Sequence, residues 1–231
     1  MHTIHAGDGA ELLRLLVEHP ELAAVRLGDD DPDGMSRTLL HVATDWPGHF
    51  PNGPGSVATL VEAGADVNAR FRGPHEETPL HWAASSDDVR VLDALLDHGA
   101  DIEAPGAVTA AGTPLDDATA FGQWAAARRL VARGARVNRF AAASLGLMSR
   151  LRDCLQAEAA PEQLGEMFWA ACHGGQLEAT QYVFEQGAAL DWLPGWEDLT
   201  PLDAAARSGA HDVVAWLHSH GARTAAELRA A

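Results

Sequence analysis

A glycine–alanine pair closes a short helical pattern five times along the chain, and its spacing limits the folds that the chain can adopt. Three of the four intervals between successive pairs measure 34 or 35 residues, with the glycines at Gly64, Gly99, Gly134, Gly187 and Gly221. A fixed period of this length indicates a stack of similar units, because two short helices cannot bury their apolar faces alone. We therefore predict a repeat protein whose units share one continuous core.

The stretch from Thr78 to Ala104 shows how each unit is predicted to form. Thr78 can cap a helix with its hydroxyl group, and Pro79 suits the first helical position, where an N–H would have no partner. A second helix follows with an apolar stripe at helical spacing, and Gly99 is predicted to end it in a left-handed conformation. Similar openings begin with threonine and end with histidine or aspartate, at residues 38–41, 113–116 and 200–203.

These openings, at a period near 33 residues, resemble those of the ankyrin-repeat family, and the resemblance extends from about Thr38 to Arg223. It implies an all-α solenoid of about seven helix-turn-helix repeats, with an extended finger projecting between neighbouring repeats. Two repeats, the first and the fifth, are degenerate. The fifth has no finger, because its helical pattern starts almost directly after Asn138.

We expect residues 1–231 to form a single ankyrin-repeat domain. Within the first repeat we predict one helix, at residues 10–17, and an acidic finger at residues 29–34. Within the fifth we predict a second helix at residues 148–157 and a linker at Pro161. The predicted parts are an N-terminal cap repeat at 1–30, three repeats at 37–138, a shortened repeat at 139–161, two repeats at 165–225 and a tail at 226–231.

The charge of the chain excludes several classes of partner. It has 33 acidic and 16 basic residues and a formal net charge of −17, which repels nucleic-acid phosphates and anionic membrane surfaces. All 16 basic residues are arginine, so lysine Schiff-base chemistry is excluded. There is neither an apolar run long enough for a membrane span nor a signal-peptide pattern. We expect a cytoplasmic protein that binds neither nucleic acid nor a membrane.

The resemblance also implies where a partner binds. In ankyrin repeats the two positions after the Ala-Ala pair, together with the fingers, line a concave face, and an insertion of about five residues after Asp45 extends this face here. Large aromatic side chains exposed on such a face usually mark a contact surface. We predict an acidic, aromatic-rich groove that binds a protein or peptide with a basic segment. Its predicted binding residues are Asp45, Trp46, His49, Phe50, Ser85, Ser86, Phe121, His173, Trp192 and Trp196.

An alternative hypothesis is a small-molecule-binding protein or an enzyme with an acid/base site in the same groove. General acid–base catalysis needs a histidine or a carboxylate held over a substrate, and Asp45, His49 and His173 have suitable side chains. The common catalytic and phosphate-loop signatures are absent from the sequence. The sequence therefore leaves catalysis open and favours a protein that is not an enzyme.

Asp117 is a further catalytic candidate, because it stands where other repeats carry an apolar inward-facing residue. A carboxylate at such a position needs a partner or has a raised pKa. Arg128, Arg129 or the neighbouring loop at Asp116 could supply the partner. We favour a locally paired structural aspartate over a catalytic one.

Several other polar and aromatic residues are better explained by structure. His41 and His81 lie in the repeat openings, where a histidine hydrogen-bonds the local backbone, and Trp82 and Trp216 are predicted to pack between repeats. The spacing of His41, Asp45 and His49 matches the ligands of a two-histidine, one-carboxylate metal site. Proline and glycine break the helix between them, so we expect no metal and no cofactor.

Overall fold

The chain consists of short helices joined by turns and extended loops. The residues described by the computed structural model are 1–28, 34–109, 111–156 and 159–230. They belong to two compact units, Met1–Arg136 (unit 1) and Val137–Ala231 (unit 2). This architecture confirms the all-α prediction, whereas the grouping of every repeat into one domain stays a prediction.

Unit 1 is built from helix pairs that follow one another along the chain. Its helices are α1 (His2–Ala6), α2 (Gly9–Glu18), α3 (Leu39–Thr44), α4 (Gly53–Glu62), α5 (Pro79–Ser85), α6 (Val89–Asp97), α7 (Pro114–Ala120) and α8 (Trp124–Ala132). A short 3-10 helix (Pro20–Ala24) leads into an antiparallel pair of strands, β1 (Arg26–Gly28) and β2 (Ser36–Thr38). The predicted acidic finger at 29–34 lies almost entirely outside the described residues.

Unit 2 has the same arrangement with a longer third helix. Its helices are α9 (Arg139–Ser144), α10 (Met148–Cys154), α11 (Pro161–His173), α12 (Leu177–Glu185), α13 (Pro201–Arg207), α14 (His211–Ser219) and α15 (Ala225–Ala230). In unit 2, α11 packs on α9, α12 and α13, and α12 packs on α14. In unit 1, α5 packs on α3 and α7, and α6 packs on α4 and α8. First helices therefore stack on first helices, and second helices stack on second helices.

The repeat openings form N-terminal capping boxes. The backbone N–H of Thr78 donates to Nδ1 of His81 over 3.1 Å, and that of Thr113 donates to a carboxylate oxygen of Asp116 over 2.7 Å. The side chain at the third helical position thus satisfies a backbone donor that the helix leaves unpaired. Histidine and aspartate can both accept this bond, which explains why the repeats use either residue there.

His41 and His81 have the structural role that the sequence predicted. Nδ1 of His41 accepts a hydrogen bond from the Thr38 N–H over 3.3 Å, and Nε2 of the same ring donates to the Glu77 carbonyl oxygen over 3.1 Å. Burial lowers the pKa of His41 to about 4 and the pKa of His81 to about 4, because desolvation disfavours the charged ring. Both rings are therefore neutral at pH 7.

The glycines that close the second helices are needed for their backbone conformation. Gly64, Gly99 and Gly134 have φ angles of 99°, 89° and 100°, a region that residues with a Cβ rarely adopt. A Cβ at any of these positions would meet nothing within 4 Å. The requirement is conformational rather than a matter of space, as expected for a left-handed helix cap.

Tryptophan side chains fill the gaps between stacked repeats, as predicted for Trp82 and Trp216. The Trp82 ring lies 4.9 Å from the ring of His41 and 5.6 Å from that of Phe71, measured between centroids. The Trp216 ring, on α14, packs 5.3 Å from the ring of Phe184 on the preceding second helix, α12. Each indole bridges neighbouring repeats, as large core residues do in stacked helices.

Three predictions about the helices of the first and fifth repeats were wrong. The first repeat has two helices rather than one, because α1 is only five residues long and buries only Ile4, too little for a periodic pattern. Pro161 is not a linker: it occupies the first turn of α11, where proline is well tolerated. Accordingly α10 ends at Cys154 rather than at residue 157.

Candidate functional site

Four aromatic side chains of unit 2 form a connected cluster, which we call the unit 2 aromatic cluster: Phe140, Trp169, Trp192 and Trp196. The Trp196 ring lies 5.8 Å from Trp169 and 5.7 Å from Trp192, in both cases edge to face. Phe140 lies 6.2 Å from Trp169. These spacings fall in the range of favourable aromatic pairs.

The cluster has a buried base and an exposed tip. Trp169 is 2% exposed, whereas Trp196 is 55% exposed and the neighbouring Leu193 is 42% exposed. An indole that is rigidly supported from below but open to solvent loses little side-chain entropy when a partner covers it.

Trp169 is held by contacts that also include a cation. Its indole N–H donates to the Leu199 carbonyl oxygen over 3.0 Å. The guanidinium carbon of Arg207 lies 5.7 Å from the Trp169 ring centre, and Arg207 also donates to Glu197 over 2.7 Å. The cluster therefore already holds one arginine through an aromatic face and a carboxylate together.

His173, predicted as a binding or acid/base residue, is part of the support beneath the cluster. It is 5% exposed, and its ring lies 5.1 Å from the ring of Trp169. Its Nδ1 lies 3.2 Å from the Ser208 hydroxyl oxygen, close enough for a hydrogen bond. This burial leaves His173 little surface for direct contact with a ligand.

Trp192 packs against the chain rather than standing out from it. Its indole N–H donates to Glu162 over 3.3 Å, and its ring covers Gly165 of α11 so closely that a Cβ at Gly165 would lie 2.5 Å from it. Gly165 therefore lets Trp192 lie flat on the helix. The loop that carries Trp196 is positioned by this contact.

We expect Gly165→Ala to destabilise unit 2 by about 1–3 kcal/mol, because the added methyl group must displace the Trp192 indole. Urea unfolding followed by circular dichroism measures the effect. Alanine alone would stabilise a helix by about 1 kcal/mol relative to glycine, so a gain in stability would contradict the packing argument. Gly195→Ala is the control in the loop that carries Trp192 and Trp196, since a Cβ there meets nothing within 4 Å.

In unit 1 the inserted loop carries the predicted binding residues Asp45, Trp46 and His49, and it contacts a fourth, Ser86. Nε2 of His49 lies 3.1 Å from the Ser86 carbonyl oxygen, and the His49 backbone N–H donates to Asp88 over 2.7 Å. Asp45 accepts a hydrogen bond from Arg37 over 2.5 Å. The loop is thus fixed to the turn between α5 and α6, and Trp46 projects from it with 78% of its surface exposed.

The other predicted residues of unit 1 have separate environments. Phe50 is half-buried and stacks on His5 with 4.3 Å between ring centres. The hydroxyl of Ser85 is buried and finds no hydrogen-bond partner among the described residues. Phe121, by contrast, is 49% exposed at the end of α7. Within unit 1, Trp46 and Phe121 are the predicted binding residues with the most exposed surface.

Asp117 is fully buried on α7. One of its carboxylate oxygens lies 3.3 Å from the Thr109 hydroxyl, while the other finds no partner among the described residues. Burial, followed by repulsion from Glu77, raises the pKa of Asp117 to about 7. Thr109 supplies the local partner, whereas Arg129 binds Asp93 instead. Because no surface of Asp117 reaches solvent, it cannot meet a substrate in this conformation.

The arrangement of titratable groups in the described ranges is not that of a metal site. No three His, Cys, Asp or Glu side chains of these residues are grouped so that they could hold an ion. The ring of His41 bonds Thr38 and Glu77, while Asp45 pairs with Arg37. Over the same ranges, no helix is both long and apolar enough to cross a membrane.

The stacked helix pairs define a helical repeat protein. A family model described as ankyrin repeats in three copies matches residues 52–141, and one for a single ankyrin repeat matches residues 197–227. Together the matches span slightly more than half of the chain. The chain belongs to the ankyrin-repeat family, whose repeats generally mediate protein–protein interaction.

Two curated relatives each match part of the chain. The chain is 36% identical over 93 residues to an N-acetyl-gamma-glutamyl-phosphate reductase from Frankia casuarinae, a match covering 39% of this chain and 25% of that protein. It is 38% identical over 77 residues to palmitoyltransferase AKR1 from Candida albicans, covering 32% of this chain and 8% of that protein. The chain thus spans a quarter or less of the length of these relatives, and their names describe those whole proteins.

Proposed function

We propose that the protein binds a protein or peptide partner through the unit 2 aromatic cluster, and that the partner contributes a basic side chain to it. The exposure of Trp196 above the buried Trp169 is the observation that carries this proposal. Large exposed indoles dominate the energetics of protein interfaces, because they bury much surface with few rotatable bonds.

The contact between Arg207 and Trp169 supports a basic partner. Within unit 2 an arginine lies on one indole face while a carboxylate neutralises its charge. A partner arginine or lysine on the open face of Trp196 would repeat this arrangement. Cation–π contacts contribute about 0.5–2 kcal/mol, the larger values applying where the site excludes water.

The local charge favours the same partner. Glu162 is exposed, accepts the Trp192 N–H and forms no ion pair within the described part of the chain, so its carboxylate is available to a cation. From residue 137 onward the sequence has 12 acidic residues against six arginines. This excess of negative charge would attract a basic segment and raise its association rate.

Trp46 is the corresponding candidate in unit 1, with Asp45 beside it. Because Asp45 is paired with Arg37, the charge next to Trp46 is partly neutralised. We therefore assign the contact with the partner's basic side chain to unit 2, and a mainly apolar contact to Trp46.

We expect Trp196→Ala to weaken binding of basic peptides about tenfold or more, since the lost indole is worth over 1.4 kcal/mol as an interface anchor. A random peptide display library selected on the wild-type protein supplies the ligands, and fluorescence anisotropy gives their Kd values. Selected peptides should be enriched in arginine and lysine. The Glu162→Gln variant should also bind these peptides more weakly than the wild-type protein at low salt.

Trp216→Ala is the matched control, because Trp216 is a half-buried indole of the same unit whose contacts are with Phe184 and His220. It should leave peptide affinity unchanged. Selected peptides without basic residues, or equal affinities for wild type and Trp196→Ala, would reject the proposal. Circular dichroism confirms that each variant is folded before its affinity is compared.

A further inference from the structure

A cavity of about 510 Å³ in unit 1 is lined by an unusual concentration of positive charge for so acidic a chain. Three arginines face it, at Arg26, Arg70 and Arg72, together with the ring of Phe71. The volume falls in the range of small-molecule sites, about 300–1,000 Å³. This cavity involves none of the residues of the unit 2 aromatic cluster.

The arginines are brought together by strand pairing. Ser36 of β2 exchanges two backbone hydrogen bonds with Arg72, each 2.9 Å long, which adds the segment around residue 72 to the β1–β2 pair. Arg26 of β1 then reaches across, donating to the Ser36 hydroxyl over 3.0 Å and to the Arg70 carbonyl oxygen over 2.7 Å. Arg70 in turn donates to the carbonyl oxygens of Glu76 and Pro105.

The positive charge of these arginines is not neutralised by the protein within the described residues. At least ten of the 16 arginines form an ion pair with a carboxylate there. Arg26, Arg70 and Arg72 form none in those ranges, and the Arg72 side chain is exposed without a hydrogen bond in them. Burial and the nearby Arg72 lower the pKa of Arg26, which is the effect of an uncompensated positive charge.

We propose that this cavity is a binding site for the phosphate end of a small molecule, held by Arg26, Arg70 and Arg72. Each guanidinium has five N–H donors, and the carbonyl contacts of Arg26 and Arg70 use only part of them. The planar fork of arginine fits phosphate oxygens in pairs, through charge-assisted hydrogen bonds. Phe71 offers an apolar wall for the remainder of the molecule.

The residues favour phosphate over a carboxylate ligand. Asp66 and Glu76 also line the cavity, yet neither comes within ion-pair distance of the three arginines in the described structure. The carboxylates of Asp66 and Glu76, each with a single charge and two oxygens, are therefore close to the three arginines but do not bridge them. A phosphate or diphosphate carries more charge and more acceptor oxygens, so it can contact several guanidinium groups at once.

Isothermal titration calorimetry with sodium pyrophosphate tests the proposal on the full chain, at about 0.15 M sodium chloride to screen non-specific attraction. We expect saturable binding with one site per chain. Arg72→Gln should weaken it about tenfold or more, because a charge-assisted contact is lost without disturbing a structural hydrogen bond. Arg90→Gln is the matched control, since Arg90 is exposed on α6 and also forms no ion pair within the described residues.

Three outcomes would overturn the proposal: no saturable binding to the wild-type protein, an equal loss in both variants, or citrate binding as tightly as pyrophosphate. The last would assign the cavity to carboxylates instead. Arg72→Gln should leave the affinity for basic peptides unchanged. The proposals of a phosphate site and of a peptide site can therefore be rejected independently of each other.

Discussion

Trp169→Ala is expected to lower the free energy of unfolding of unit 2 by about 3–5 kcal/mol, the range for removing a buried tryptophan. The indole is 2% exposed, supports Trp196 and Phe140, and donates a hydrogen bond to Leu199. Its removal leaves a cavity at the base of the unit 2 aromatic cluster and frees the loop above it. Urea unfolding followed by circular dichroism measures the change.

Two further variants separate the packing of the buried ring from its hydrogen bond and from the loss of an exposed indole. Trp169→Phe should recover part of the loss, since a ring remains, but not the bond to the Leu199 carbonyl oxygen, which is worth about 1 kcal/mol. Trp46→Ala should change stability by less than about 0.5 kcal/mol, because that indole is 78% exposed. If Trp169→Ala were as mild as Trp46→Ala, the cluster would not be the rigid support that peptide binding requires.

Asp117→Asn is expected to remove a pH-dependent loss of folding stability from unit 1. Burial and Glu77 raise the pKa of Asp117 from 3.8 to about 7 in the folded protein. Between about pH 4 and pH 7 the unfolded carboxyl is ionised while the folded one keeps its proton, so this group's contribution to stability falls as pH rises. A pKa difference of this size corresponds to about 4 kcal/mol, and we expect the variant to gain that much relative to wild type from about pH 4 to pH 8.

The difference between the two unfolding curves, rather than either curve alone, measures this effect. His41 and His81, whose pKa values are lowered to about 4 by burial, act in the opposite direction over the same pH range and are common to both proteins. Asp116→Asn is the control, because its side chain can still accept from the Thr113 N–H. A constant difference between Asp117→Asn and wild type across this range would show that Asp117 is ionised throughout.

The repeat architecture could be predicted from the sequence because local chemistry specifies it. A threonine cap, a histidine or aspartate three residues later and a left-handed glycine are all recognisable within one unit. The same logic located α9, which begins directly after its cap at Asn138. The start of α11 was missed because Pro161 is equally compatible with a linker and with a first helical turn.

The proposed binding surfaces could be predicted only in part from the sequence, because they depend on which repeats pack against each other. Trp196 and Trp46 were expected to be exposed from their places in loops, and they are. The support beneath Trp196 was not foreseen, although Trp169 stands where other repeats carry the opening histidine. Nor was the arginine cavity foreseen, since Arg26 reaches the Arg70 carbonyl oxygen through a side-chain hydrogen bond that spans 44 positions of the sequence.

The hydrogen bonds from His49 to the turn at Ser86 and Asp88 have a consequence for how unit 1 opens. In a linear array each repeat can in principle detach from the end, one after another, with a free-energy cost set by a single interface. The inserted loop adds two hydrogen bonds across one such interface, so we expect the repeats on its two sides to unfold together. Local unfolding that starts at the N-terminal end would then stop at this interface.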